Sequence, residues 1–93
     1  MSDLKASNGG TAETDSEAGP GAYPAGGFEL GTDLLRVDDA TVSSDAVGYD
    51  ARVDSITGNN TLVVVVVDAG SGAEVAADTD LSGVTFTYNA SRR

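Results

Sequence analysis

The oxygen-bearing side chains between residues 78 and 83 resemble the start of a calcium-binding loop. Asp78, Asp80 and Ser82 alternate along the chain, and Gly83 follows them. This D-x-D-x-S-G order aims alternate oxygens at one cation, and the glycine permits a sharp turn. A complete loop needs flanking helices and a bidentate glutamate at its twelfth position, which is Asn89 here. We therefore predict no bound metal or cofactor, keep the first three residues only as candidate ligands, and expect Asp80 to start a turn through its side chain.

A second group of carboxylates, Asp38, Asp39 and Asp45, could also hold a hard cation such as calcium. In a chain with so many acids, a solvated acidic loop is the simpler interpretation. These residues therefore do not change the prediction that the protein has no cofactor.

The chain lacks the residues that most often carry catalysis. It has no cysteine and no histidine, which removes thiolate chemistry, the commonest general base and the usual zinc ligands. Serine and threonine are plentiful, but no base is placed to activate them. No two carboxylates fall in an apolar segment that would separate their pKa values. We therefore predict that the protein is not an enzyme.

The charge of the chain limits its partners and its setting. There are 15 acidic against 5 basic residues, a net charge of -10. Nucleic acid and anionic membranes would be repelled, and no apolar run approaches the ~20 residues of a membrane span. The excess of aspartate over lysine, with much alanine, valine and threonine, is typical of halophilic proteins. In concentrated salt the Debye length is about 3 Å or less, so this self-repulsion is screened.

Two regions differ in composition. Residues 1–27 are rich in Gly, Ala, Ser, Thr and acids, which predicts a flexible or extended, largely irregular N-terminal arm. Tyr23 and Phe28 are the exceptions and are expected to pin the end of this arm to the folded part. Residues 28–93 are expected to form one small β domain.

Alternation and turn signals in the second region predict strands and no helix. GYDARVDSI (48–56) alternates apolar and charged residues, and the turn at 57–60 returns the chain into TLVVVVVD (61–68), which predicts a hairpin. Further strands are expected at 34–38, before a turn at Asp38 and Asp39, and at 83–90. Short connections predict an all-β antiparallel sandwich or small barrel.

The valine run raises the question of what covers it. A strand sends successive side chains to opposite faces, so Val63–Val67 is apolar on both. One face can close the core, and we expect a neighbouring subunit or second sheet to cover the other, because so small a domain is marginal alone. Which parity faces inward cannot be decided, since a one-residue register slip exchanges the faces. The packing and interface candidates are Tyr23, Phe28, Val63, Val65, Val67, Phe86 and Tyr88; candidates for salt links between subunits are Arg36, Arg52, Arg92 and Arg93.

Two segments resemble small capsid-associated proteins of tailed (HK97-type head) viruses. GAYPAGGFEL (21–30) is similar to their S/G-Y-x-x-G-G-x-x-L opening. EVAADTDLSGVTFTYNASRR (74–93) is similar to their ending, where a GTDLSG-type turn precedes a final V-T-F strand and a terminal arginine. Such proteins are short β proteins, often described as decoration or cement proteins, and some form trimers on the capsid surface.

This resemblance, with the halophilic composition, implies a structural virion protein of a haloarchaeal virus, assembled in the host cytoplasm. Its partners would be the major capsid protein and copies of itself, with a trimer as one possible assembly; no nucleic acid and no membrane are expected. Two alternatives stay open. One is a haloarchaeal surface adhesion or carbohydrate-binding β module, for which a signal peptide is expected, but MSDLKASNGG lacks its apolar region. The other is a regulatory domain that binds calcium or another metal.

Overall fold

A computed structural model describes residues 12–92, apart from the side chain of Arg92. Every regular element in this part of the chain is a β-strand. The six strands are β1 (Ala12–Ala18), β2 (Phe28–Gly31), β3 (Val37–Ser44), β4 (Tyr49–Thr57), β5 (Thr61–Asp68) and β6 (Thr85–Arg92). The all-β antiparallel prediction is therefore confirmed. The part of the predicted arm formed by residues 1–11 lies outside the described residues.

The strands form two three-stranded antiparallel sheets that enclose one core. The first sheet has the order β1-β6-β3 and the second has the order β2-β5-β4. The central strands face each other across the core, which makes the arrangement a sandwich. The buried residues that these two strands supply are Leu62, Val64 and Val66 from β5 and Phe86, Tyr88 and Ala90 from β6.

The predicted hairpin is present as β4 and β5. Thr57 pairs with Thr61, and the turn between them has positive φ angles at Gly58 and Asn59, of 59° and 78°. Glycine and asparagine are the residues that accept such angles most readily, so the turn signal in the sequence was correct. A bulge between Val53 and Ser55 shifts the register along the hairpin.

The strand predicted at 34–38 is wrong. β2 ends at Gly31, and the next strand starts at Val37. Between them, the hydroxyl of Thr32 accepts a bond from Leu34 N at 3.1 Å, and Arg36 has a φ of 61°, which no strand allows. The turn expected at Asp38 and Asp39 is also wrong, because both lie within β3, beside a bulge that absorbs the irregularity.

The predicted boundary at residue 27 also needs correction. Residues 12–18, assigned to the irregular arm, form β1 and pair with β6 from Ala12↔Ser91 to Ala18↔Thr85. Tyr23 is only 1% exposed, so the segment after β1 is anchored in the core, as expected for this tyrosine. The sequence concealed β1 because its side chains are small on one face and acidic on the other, which leaves no apolar alternation to detect.

Candidate interaction surfaces

The outer face of the β2-β5-β4 sheet carries the second row of valines. Val63 is half-buried, while Val65 and Val67 are 6% and 7% exposed. Val65 and Val67 therefore do not need the neighbouring subunit or second sheet that we expected to cover this row. The chain itself encloses them: Gly27 comes so close that a Cβ there would lie 3.3 Å from Val65 Cγ1, and Glu74 bridges to Val67.

The aromatic candidates are packing residues of the monomer. Tyr23, Phe86 and Tyr88 are at most 1% exposed and belong to the central cluster. Phe28 is half-buried and meets Phe86 edge to face, with ring centroids 5.0 Å apart and planes at 67°. The rings of Tyr23, Phe86 and Tyr88 are therefore not presented for contact with another molecule, and that of Phe28 is presented only in part.

The hydroxyl of Tyr23 bonds to the backbone of β5 at a point that the short strand β2 does not reach. It donates to Glu74 Oε2 at 2.5 Å and accepts a bond from Val66 N at 3.4 Å. Glu74 Oε2 also accepts a bond from Gly26 N at 3.3 Å. Burial and the neighbouring Glu74 carboxylate raise the pKa of Tyr23 above its ordinary value. The phenol is therefore held neutral, and it supplies the hydrogen bond that a longer β2 would have made.

The hydroxyl of Tyr88 joins the two sheets at the other end of the molecule. It lies 2.8 Å from Gly31 O and 3.1 Å from Glu13 Oε2, and each of these oxygens can accept its hydrogen bond. The same Glu13 carboxylate accepts a bond from Asp33 N at 3.1 Å. Burial, and then the hydrogen bond to Glu13, raise the pKa of Tyr88 well above its ordinary value. This network is the main side-chain link between β1 and the second sheet.

The outer face of the β1-β6-β3 sheet is nearly free of charge. Residues paired across antiparallel strands share a face, so Thr87 lies beside Ser16 and Ser43, and Asn89 lies beside Thr14 and Thr41. All six of these side chains are exposed. The remaining members of this face are Ala12, Ala18, Asp39, Asp45, Thr85 and Ser91. Among the described residues, the acids Asp39 and Asp45 lie at the two ends of a face of hydroxyl, amide and methyl groups, in a chain of net charge -10; we call it the hydroxyl face.

The predicted metal candidates are used in turns and strand ends. Asp80 Oδ1 accepts bonds from Ser82 N at 2.9 Å and from Ser82 Oγ at 2.7 Å, which lower the pKa of Asp80. The expectation that Asp80 begins a turn through its side chain is therefore confirmed. Asp45 Oδ1 accepts a bond from Thr85 N at 2.9 Å. Between residues 12 and 92, no three acidic side chains are grouped closely enough to hold a metal ion.

The arginine candidates lie on the surface or outside the described atoms. Arg52 is exposed on β4 opposite Val65, and Arg36 is exposed in the β2–β3 connection. The backbone of Arg92 pairs with Val37, while its side chain and Arg93 lie outside the described residues. Salt links between subunits at these four arginines therefore stay a prediction.

Comparison with known proteins adds no relative. No family model, curated protein or solved structure matches the chain. In residues 12–92 there is also no helix with the length and apolarity needed to cross a membrane.

Proposed function

We propose that this protein is a structural virion protein that decorates or cements a capsid by docking onto the major capsid protein. The observation that carries the proposal is the hydroxyl face. A carboxylate buried at an interface without a partner loses its water at a large cost in free energy. The acids that the described residues place on the hydroxyl face, Asp39 and Asp45, lie at its two ends, so a second protein can cover its centre without burying a carboxylate.

The outer face of the other sheet is less suited to docking. Its central valines are already enclosed, and the residues that share their face are charged: Glu29 lies opposite Val63, Asp50 opposite Val67, and Arg52 opposite Val65. A partner would have to desolvate or neutralise each of these groups. This comparison favours the hydroxyl face as the contact with the shell.

The size of the hydroxyl face favours attachment in many copies. Strands of eight residues rise about 26 Å, and three strands span about 14 Å, so the face offers roughly 370 Å². Stable pairwise interfaces usually bury ~800 Å² per partner, which makes a single contact of this size weak. On a lattice, many linked contacts compensate for a small interface, because each bound module raises the effective concentration of the next. A repeating shell is such a lattice.

The two segments that resemble capsid-associated proteins contact each other in this fold. Tyr23 N donates to Thr79 O at 2.8 Å, and Asp78 N donates to Tyr23 O at 3.1 Å. The bond from the Tyr23 hydroxyl to Glu74 joins the same two segments. Tyr23 therefore ties the first segment to residues 74–79 of the second, which supports treating their resemblance as a single motif.

The adhesion or carbohydrate-binding alternative has less support. Sugar sites commonly stack an exposed aromatic ring against the ligand. The chain has five aromatic residues, of which three are buried in the core and two, Phe28 and Tyr49, are half-buried. An exposed aromatic platform is therefore absent from the described residues.

The test is the content of purified particles. Virus particles from the source that encodes this chain are banded on a density gradient, and the proteins are quantified by mass spectrometry. We expect the chain at a fixed ratio to the major capsid protein, at a copy number of the order of the shell subunits. A chain that stays with the soluble fraction, or occurs only in traces, would contradict the proposal.

A further inference from the structure

Strand β1 is attached to the sandwich without an apolar anchor. Of its seven residues, only Glu13 is half-buried, and the other six are exposed. Its inward side presents Glu13, Asp15 and Glu17, opposite Ala90, Tyr88 and Phe86 of β6. Hydrophobic burial therefore contributes little to holding β1, and the backbone ladder and the Glu13 network contribute most.

No other strand of the described residues pairs with the outer edge of β1, and this edge is protected against simple addition of another strand. Gly19 N donates to Val84 O at 2.8 Å, and hydrogen-bonded pairs alternate along an antiparallel ladder. The backbone groups of Glu13, Asp15 and Glu17 therefore point to β6, while those of the even-numbered residues point outward. A second β1 added antiparallel at this edge would place its carboxylates opposite these three, at about 5 Å, where like charges destabilise pairing.

The edge of β6 that pairs with β1 presents no such repulsion between carboxylates. Each carboxylate of β1 lies opposite an uncharged residue of β6. A second copy presents the identical segment 12–18, so it can make every one of these contacts in place of the resident strand. The two arrangements differ only in the path of the chain that leaves β1.

We propose that β1 is exchanged between two copies of this protein, so that residues 12–18 of each chain pair with β6 of the other. Reciprocal exchange gives a closed two-fold dimer in which both sandwiches are complete. Because the contacts are the same within and between chains, the equilibrium between the monomer and the exchanged dimer depends on protein concentration. It shifts toward exchange wherever copies are held close together. This proposal does not depend on the capsid role.

The chain has a suitable hinge directly after β1. Gly19, Pro20 and Gly21 follow the strand, and the two glycines allow wide backbone rotation. Exchange has to release the bond from Leu81 N to Pro20 O, which is 3.2 Å long, and Tyr23 then holds the chain again because it is buried. The change of path is therefore confined to the few residues between Gly19 and Tyr23.

The absence of cysteine allows a direct crosslinking test. Ser16 and Thr87 are a pair without mutual backbone hydrogen bonds, the close geometry that suits a disulfide. The full chain is made as two single variants, Ser16→Cys and Thr87→Cys, one of them carrying a mass tag. They are mixed at high concentration in about 1 M KCl, where the Debye length is about 3 Å, and then oxidised. We expect a covalent heterodimer on a non-reducing gel, because exchange brings the two thiols of different chains together.

The matched control is Ser43→Cys mixed with Thr87→Cys. Ser43 flanks Thr87 on its other side, but it lies on β3, in the middle of the chain. We expect this pair to give severalfold less heterodimer. Equal yields from both mixtures, or a Ser16→Cys homodimer in place of the heterodimer, would overturn the proposal. If either first variant fails to fold, Thr14→Cys with Asn89→Cys tests the same register at the next such pair.

Discussion

Two buried tyrosine hydroxyls hold together parts of the chain that are distant in sequence. Tyr23 reaches Glu74 and the backbone of Val66, and Tyr88 reaches Glu13 and the backbone of Gly31. Each ring fills the core, and each hydroxyl satisfies a backbone group that the sheets leave open. Sequence analysis selected both tyrosines as packing candidates, but it could not assign these partners, which lie 43 to 75 residues away.

Replacing Tyr88 with Phe tests this role. The ring stays in the core while the hydroxyl is lost, which leaves Gly31 O and Glu13 without their bond. We expect the free energy of unfolding to fall by about 1–2 kcal/mol, the usual effect of removing one partner of a buried hydrogen bond. Denaturant unfolding in high salt measures it.

The matched control is Tyr49→Phe. Tyr49 is half-buried on β4, and its hydroxyl makes no hydrogen bond with another described residue. We expect this change to leave stability within about 0.5 kcal/mol of the parent. If the two variants lose the same stability, the Tyr88 network has no special role.

At the scale of the elements, the strands differ in how readily they can be predicted from the sequence. The β4–β5 hairpin was predictable because Tyr49, Ala51 and Val53 alternate with charged residues before a Gly-Asn turn. The parity of the valine strand was not, because Val64 and Val65 are chemically identical and only the three-dimensional pairing separates them. β1 was missed because it has no apolar side chains larger than alanine. A strand that is held mainly by backbone hydrogen bonds leaves no apolar pattern in the sequence.

The connection after β1 depends on one glycine. A Cβ on Gly19 would lie 2.4 Å from Leu81 O and 2.7 Å from the Phe86 ring, whereas a Cβ on Gly21 would meet nothing within 4 Å. We expect Gly19→Ala to destabilise the fold by about 1–3 kcal/mol, because the core must shift to admit the methyl group. Gly21→Ala is the control and should be close to neutral. Thermal melts of the two variants side by side decide it, and equal melting temperatures would show that β1 does not pack as described.

At the scale of the whole molecule, the chain completes its own core. The sequence suggested that some sixty residues could not cover both faces of the valine strand. The folded part is larger than that, because β1 and the segment with Tyr23 belong to it, and Val64 to Val67 are all at most 7% exposed. The valine strand therefore no longer indicates that a partner is needed to cover it. What remains for assembly is the hydroxyl face, which sequence analysis did not single out.

The most direct test of the account is whether the hydroxyl face is the surface that binds the shell. Thr87→Glu places a carboxylate at its centre, and Ser55→Glu places the same group on exposed β4 of the other sheet. Both variants should melt like the parent. In purified particles, we expect Ser55→Glu at the parental level and Thr87→Glu reduced by at least about tenfold, since an unpaired buried carboxylate costs more than the ~1.4 kcal/mol that this factor represents. Equal incorporation of the two variants would contradict the account.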